Sequence, residues 1–205
     1  GIVPERLVNC ALVHGIHMEK VGKADCGRGA QDFTSAIPAC DGLYTNEKNV
    51  PLGLNYADCT PLLFYDPVTS SIAVAHGGWR GTAGNIAGEA VRHLQESYGA
   101  EPKNIKAGIG PAIGKSVFEV EKDVVEAFEK IFDEEEMKRL SAPKGEGKIL
   151  IDLPLANRIL IERAGILPEN IEDCGICTYC RNDLFYSYRK TAGRTGRHMA
   201  VMMLK

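Results

Sequence analysis

The 205-residue chain has no run approaching the roughly 18 consecutive apolar residues of a membrane-spanning helix. No basic patch followed by an apolar stretch opens it, so no secretory signal is legible. Basic residues are not in excess: 24 Lys+Arg stand against 27 Asp+Glu, a formal charge of −3. That balance excludes the electrostatic footprint of a nucleic-acid or anionic-membrane binder. No internal repeat or low-complexity tract is present. An initiator Met is also missing, since the chain starts Gly1-Ile2-Val3-Pro4, which reads as a trimmed start. Seven cysteines, an odd number, rule out complete internal pairing. They are too sparse for a small secreted scaffold, so reduced thiols, metal ligands or a nucleophile in the cytoplasm are expected. With 44% hydrophobic and 25% charged residues the chain is neither disordered nor fibrous. Its length suits one large domain.

What is present is a series of short apolar, β-branched runs. Residues 7–13, 61–65, 71–75, 105–109, 149–151, 184–188 and 199–204 read as strands, several of them buried on both faces. Three helix patterns lie between them. In 83–98, Ile86, Ala90, Val91 and Leu94 share a face and Gly99 supplies a stop. In 121–132 the stripe is Val124, Val125, Phe128, Ile131 and Phe132. The third, 153–164, has Asp152 as N-cap, Pro154 in its first turn and Gly165 beyond its end. The interleaving predicts a single α/β (α+β) domain, too irregular for a clean Rossmann fold or TIM barrel. The charged stretch 133–148 reads as a surface excursion.

The chemistry concentrates between Asn55 and Gly88. His76 closes an apolar strand and is followed at once by Gly77-Gly78-Trp79-Arg80-Gly81. Glycines there permit positive φ and close approach of a ligand to the backbone. The turn runs into the 83–98 helix with Thr82 as candidate N-cap, and free N–H groups beside Arg80 favour an anion such as phosphate. A plain capped turn with Trp79 as a core plug is the competing account. Cys59 precedes the 61–65 strand, and if that strand neighbours the His76 strand the two residues meet. Such a pair is either a thiolate with its base or two ligands of a borderline metal; an isolated buried Cys packs as a small hydrophobe. His14, in Val13-His14-Gly15, is a third candidate at a strand end. Three His/Cys ligands with a fourth position for water make the pattern of a catalytic zinc. His17 competes locally with His14, and strand alternation would send it to the opposite face.

Other pieces carry weaker signals. His17-Met18-Glu19 with Cys177-Thr178-Tyr179-Cys180 shares parts of the zinc nucleobase deaminase pattern. The separation is too long, no Pro precedes Cys177 and the helical context is absent, so that match is rejected. Cys174, Cys177 and Cys180 lack a clear fourth metal ligand and read as packing and exposed thiols. Gly108–Gly114 is a strand entering a Gly/Pro turn that either lines a pocket or reverses the chain. The 184–188 run ends in Arg189, which would supply a stacking wall and a phosphate or carboxylate clamp, or be a core strand with a surface Arg. His93 and His198 carry no motif and read as surface or packing residues.

Taken together, Val13-His14-Gly15, Ala57-Asp58-Cys59-Thr60-Pro61, His76-Gly77-Gly78-Trp79-Arg80-Gly81, Gly110-Pro111-Ala112-Ile113-Gly114 and Phe185-Tyr186-Ser187-Tyr188-Arg189 resemble the YfiH/YlmD family, also called laccase-domain or polyphenol-oxidase-like proteins. The resemblance covers nearly the whole chain. It implies layered mixed β-sheets flanked by helices and a zinc held by His14, Cys59 and His76. It also implies phosphorolysis of adenosine, inosine or methylthioadenosine to free base and a ribose 1-phosphate, with adenosine deaminase activity beside it. The older laccase label implies copper and phenol oxidation, but a multicopper site needs many more histidines than the five here. A likeness to cysteine hydrolases keeps a metal-free hydrolase or amidase, with Cys59 attacking and His76 as base, as the alternative. Ser116 stands where many relatives carry Cys. Relatives also have an N-terminal segment, including a substrate-binding arginine, ahead of the part matching residues 7–14, so residues 1–205 are expected to form one domain lacking that segment. On chemical grounds Gly77, Gly78, Arg80 and Arg189 are assigned to substrate or phosphate, and Asp58 to orienting a ligand or moving a proton.

Overall fold

The computed structural model describes residues 1–145 and 147–205. In chain order the elements begin with β1 (Val8–Asn9), β2 (Met18–Lys20), β3 (Gly42–Thr45), β4 (Leu52–Tyr56), β5 (Thr60–Asp66) and β6 (Ser71–Gly77). They continue with α1 (Trp79–Ala83), α2 (Ile86–Tyr98), β7 (Lys106–Ile109), β8 (Glu119–Val120), α3 (Lys122–Glu129) and α4 (Glu134–Leu140). The last are β9 (Ser141–Gly145), β10 (Lys148–Ile151), α5 (Leu153–Arg163), β11 (Ile171–Asp173) and β12 (His198–Met202). Among the described residues no helix is long and apolar enough to cross a membrane.

A six-stranded mixed sheet in the order β11-β7-β5-β6-β3-β2 forms the middle layer. β6 is its keystone because all seven residues are buried, as a strand covered on both faces must be. Side chains alternate along it. Ala73 and Ala75 meet the helix layer, where Ile86, Ala90, Val91 and Leu94 of α2 are buried. Ile72 and Val74 face the second core, shared with Leu52, Leu54 and Tyr56 of the three-stranded sheet β1-β4-β12. His76 has the parity of Ile72 and Val74, so the pleat delivers its ring between the two sheets, 5.4 Å from the Tyr56 ring. A third, antiparallel sheet, β8-β10-β9, closes the other end. The expected layered α/β architecture is therefore present.

Several local expectations need correction. The 7–13 run is a strand only over Val8–Asn9, with one further bridge from Cys10 to Ile37. Beyond it the amides of Val13, His14 and Gly15 turn onto the Asp41 carboxylate instead of a neighbouring strand, so His14 sits in a bend. The 83–98 helix starts later, as α2 at Ile86, and is separated at Gly84 and Asn85 from the short helix α1 that precedes it. Asn85 adopts the left-handed region (φ 65°) and caps α2 by accepting from the Gly88 amide. Thr82 is not a cap: it is fully buried within α1 and its hydroxyl pairs with Asn157. The glycines after His76 do not take positive φ; they permit close approach, and a Cβ on Gly81 would lie 3.0 Å from the Gly15 carbonyl. Residues 184–188 form no strand but turns and irregular backbone, with Leu184, Tyr186 and Tyr188 exposed and only Ser187 buried. The 133–148 excursion holds α4, whose Asp133 and Glu136 form a reciprocal capping box, and the strand β9; residue 146 lies outside the described residues.

Candidate metal centre

Register builds the centre from three chain segments. β5 pairs antiparallel with β6, placing Pro61 opposite His76 and Thr60 opposite Gly77. One step further out, Cys59 comes to face Gly78. The loop carrying His14 folds over this edge, held by Asp41, and its residue adopts φ 61°. One ligand atom from each of His14, Cys59 and His76 lies within 4.8 Å of the others. The two imidazoles meet edge to face at 4.9 Å. His14 is exposed, Cys59 half-buried and His76 buried.

Two imidazole nitrogens and one thiol sulfur at this spacing, open on one side, fit a borderline ion such as zinc. The floor is shaped for the same purpose. A Cβ on Gly78 would stand 3.2 Å from Cys59 Sγ, 3.4 Å from His14 Cδ2 and 3.5 Å from His76 Cε1. Gly78 has ordinary backbone angles (φ −72°, ψ 164°), so Gly78→Ala should fold normally yet press on the Cys59 sulfur and bring a methyl into contact with both imidazole rings. The expected result is unchanged thermal unfolding of metal-free protein with metal affinity down by about 10-fold, the lower end for disturbed ligand orientation, read by chelator competition.

Electrostatics favours a charged pair in the metal-free site. Burial pushes the Cys59 thiol up, but hydrogen bonds and charge from the His14 and His76 rings bring it down to about 6. Burial pushes His76 down, and Asp41 together with Cys59 raises it to about 9. Without metal the pair is a thiolate beside an imidazolium. A metal ion would displace the imidazolium proton on binding. Asp41, fully buried, is the residue that sequence reasoning missed. Its oxygens accept from the amides of His14 (2.8 Å) and Gly15 (2.7 Å), and Oδ1 stands 3.5 Å from His76 Nδ1. It thus fixes one ligand's backbone and faces the other ligand's ring, leaving the second ring nitrogen of His76 to ligate. No spacing rule links Asp41 to His76; the link is the pairing of β3 with β6, where the His76 amide donates to the Asp41 carbonyl.

The centre lies on a cavity of about 670 Å³. Trp79, Phe33, Ile113, Phe118 and Tyr188 give it apolar walls, and Arg80, Arg189 and Arg197 line it with positive charge. The Arg80 guanidinium stacks on the half-buried Trp79 ring at 4.2 Å. Arg189 donates from Nη1 to the Glu119 carbonyl (2.7 Å) and lies over Phe118. Asp58 reaches the cavity in the left-handed region (φ 87°). Its two carboxylate oxygens accept from Thr178 Oγ1 and the Arg189 amide, both at 2.7 Å, so it anchors the wall that carries Arg189. Gly77 is buried beneath, where a Cβ would meet the Thr60 carbonyl at 2.9 Å. His17 points away, paired with Glu19 at 3.0 Å on the surface. His93 stacks on Tyr44 and His198 packs between Tyr56 and Phe185.

A family model described as multi-copper polyphenol oxidoreductase laccase matches residues 1–205. The chain is 42% identical over 200 residues to a protein of Geobacillus stearothermophilus named purine nucleoside phosphorylase YlmD, covering 97% of this chain and 72% of that one. It is 36% identical over 197 residues to a protein of an unknown prokaryotic organism named adenosine deaminase RL5, covering 96% and 74%. Among solved structures, the Bacillus licheniformis hypothetical protein YfiH superposes with a TM-score of 0.95 at 37% identity, over 99% of this chain and 76% of that one. The chain belongs to the laccase-type multi-copper polyphenol oxidoreductase family that includes the YfiH and YlmD proteins.

Proposed function

We propose that this protein is a zinc-dependent purine nucleoside phosphorylase that also deaminates adenosine. Its substrates would be adenosine, inosine or methylthioadenosine with phosphate, giving free base and a ribose 1-phosphate. The observation that carries the reading is the His14, Cys59, His76 donor set opening onto a cavity with aromatic walls and an arginine rim. The names of relatives at 42% and 36% identity point the same way. When bound, zinc would supply Lewis acidity and activate water for attack at the purine 6-position. The rest falls to the chain. Trp79, Phe118 and Tyr188 offer faces on which a purine stacks. Arg80, which follows the Gly77-Gly78 turn, and Arg189, which lines the same cavity, receive phosphate through charge-assisted hydrogen bonds. Fixing phosphate against the sugar removes most of the entropic cost of a two-substrate reaction. Asp58 keeps Arg189 on that wall. The sparse, unpaired cysteines fit a reducing cytoplasm.

Incubation with inosine and with adenosine, each with and without phosphate, followed by chromatography, tests the proposal. Phosphate-dependent hypoxanthine and adenine, and phosphate-independent inosine from adenosine, are expected. Absence of all three products sinks it.

One observation supports a second reading, a metal-free cysteine hydrolase: the thiolate and imidazolium character of Cys59 and His76. In metal-stripped protein, alkylation of Cys59 should rise with a midpoint near pH 6 rather than at the ordinary thiol value of 9.0, because the thiolate is the reacting form. Added zinc should then suppress the reaction. Purified protein with near-zero metal and rapid Cys59 alkylation would favour the hydrolase, and elemental analysis separates zinc from copper.

A further inference from the structure

We infer that Cys177 and Cys180 form a redox-active dithiol that exchanges with low-molecular-weight disulfides, a site separate from the metal centre. The argument rests on how the turn is held. Cys177 forms a parallel bridge with Ala112, and its carbonyl accepts from the Arg181 amide at 2.9 Å, which closes the chain over Thr178, Tyr179 and Cys180. Thr178 is pinned twice, by its amide on the Ala112 carbonyl (3.0 Å) and its hydroxyl on Asp58 (2.7 Å). The turn so held carries the two cysteines at its first and fourth positions, the spacing at which side chains of one turn share a side.

The two sulfurs are not equivalent. Cys177 is half-buried and its Sγ accepts from the Gly114 amide at 3.2 Å. A Cβ on Gly114 would lie 3.3 Å from that sulfur, so the glycine is what lets the N–H approach. Burial pushes the Cys177 thiol up, but the amides of Cys180, Gly114 and Tyr179 and the Cys180 thiol bring it below the ordinary value. Cys180 is exposed, and its hydrogen bond to Cys177 raises it. This is the division of labour in a reactive Cys-x-x-Cys pair, one stabilised thiolate and one proton-holding partner. Cys174 is exposed as well, yet among the described residues these three sulfurs do not form a cluster of metal donors. Cys10 and Cys40 have their sulfurs 2.8 Å apart but are sealed in the core, out of reach of an external disulfide.

The exchange balances as follows. The Cys177 thiolate attacks one sulfur of RS–SR, forming a mixed disulfide and releasing RS⁻. Cys180 then loses its proton and attacks the Cys177 sulfur, forming the intramolecular disulfide and releasing the second RS⁻. Two protein thiols are oxidised and one external disulfide is reduced to two thiols.

The test exposes the folded chain to oxidised glutathione, quenches with an alkylating agent and maps the cysteines by mass spectrometry. Wild type and Cys174→Ser should both acquire one Cys177–Cys180 disulfide, which added dithiothreitol reverses. Cys180→Ser should stop with a single glutathione on Cys177. Gly114→Ala should slow alkylation of Cys177 several-fold while leaving Cys26 unchanged. A disulfide that requires Cys174, glutathione accumulating on Cys180, or Cys177 staying alkylatable at every glutathione ratio overturns the inference.

Discussion

Cys59→Ala should lose the bound metal almost completely and lower phosphate-dependent release of hypoxanthine from inosine by more than about 100-fold. The magnitude follows from a comparison. Removing a residue that merely orients a metal ligand costs roughly 10- to 100-fold, so removing a ligand must cost more. Cys59 also supplies the only thiolate in a trio whose other members are neutral when they ligate. Without it, His14 hangs on an exposed bend and His76 faces it across a gap, too few donors for tight binding. The fold should survive, because Cys59 stands just outside β5, beyond the end of its ladder, and is only half-buried. The metal-stripped variant should therefore still unfold cooperatively, at a temperature below that of metal-stripped wild type because His76 has lost the thiolate it pairs with. Elemental analysis and chromatography of the same preparations give the answer. Full metal content would remove Cys59 from the centre, and wild-type turnover would remove it from the reaction.

Much of this was legible in the sequence, and the reasons are physical. β6 and its parity could be read because a strand buried on both faces leaves an unbroken apolar run, and His76 at its end then needs a purpose. α5 was bounded correctly because Asp152 caps it and Gly165, at φ 95°, ends it. Cys59 and His76 meet because neighbouring strands with a short connection pair antiparallel. The strands that went unread share one cause. β2, β3, β4 and β11 are short and lie between polar or glycine-rich residues, so their pattern is weak, while their pairing is set by partners distant in the chain. The 184–188 run has a strand's composition, but Tyr188 lines the cavity and Leu184 and Tyr186 stay exposed, with no ladder partner among the described residues to cover them. Asp41 was invisible for the same reason. A single carboxylate before a four-residue strand carries no periodic signal, and only the β3–β6 pairing shows what it faces.

Asp41→Asn should weaken metal binding by about 10- to 100-fold, the range for a group that orients a ligand, and destabilise the metal-free protein by roughly 2–3 kcal/mol. Oδ1 accepts from the His14 amide, whereas Oδ2 accepts from Gly15 and, at 3.3 Å, from Val13. An amide has one oxygen, so whichever way the substituted side chain turns, its NH₂ confronts a backbone N–H that then lacks an acceptor. The bend loses its reason to hold φ 61° at His14, and the imidazole leaves the cluster. The pH dependence carries a definite sign. Burial pushes the Asp41 carboxyl up, but the His76 ring and the Gly15 and His14 amides more than compensate, so its pKa lies below the ordinary 3.8. A carboxylate depressed by folding contributes stability that is fully present above the unfolded value and is lost as pH falls through the folded one. Wild-type protein should therefore lose this contribution only below about pH 4, and the variant should show a flatter acid limb. Urea unfolding of metal-free protein at neutral and acid pH measures the difference, and chelator competition measures the affinity. Equal affinity in the two proteins would show that the Asp41 carboxylate does not orient the ligands, whatever it contributes to the fold.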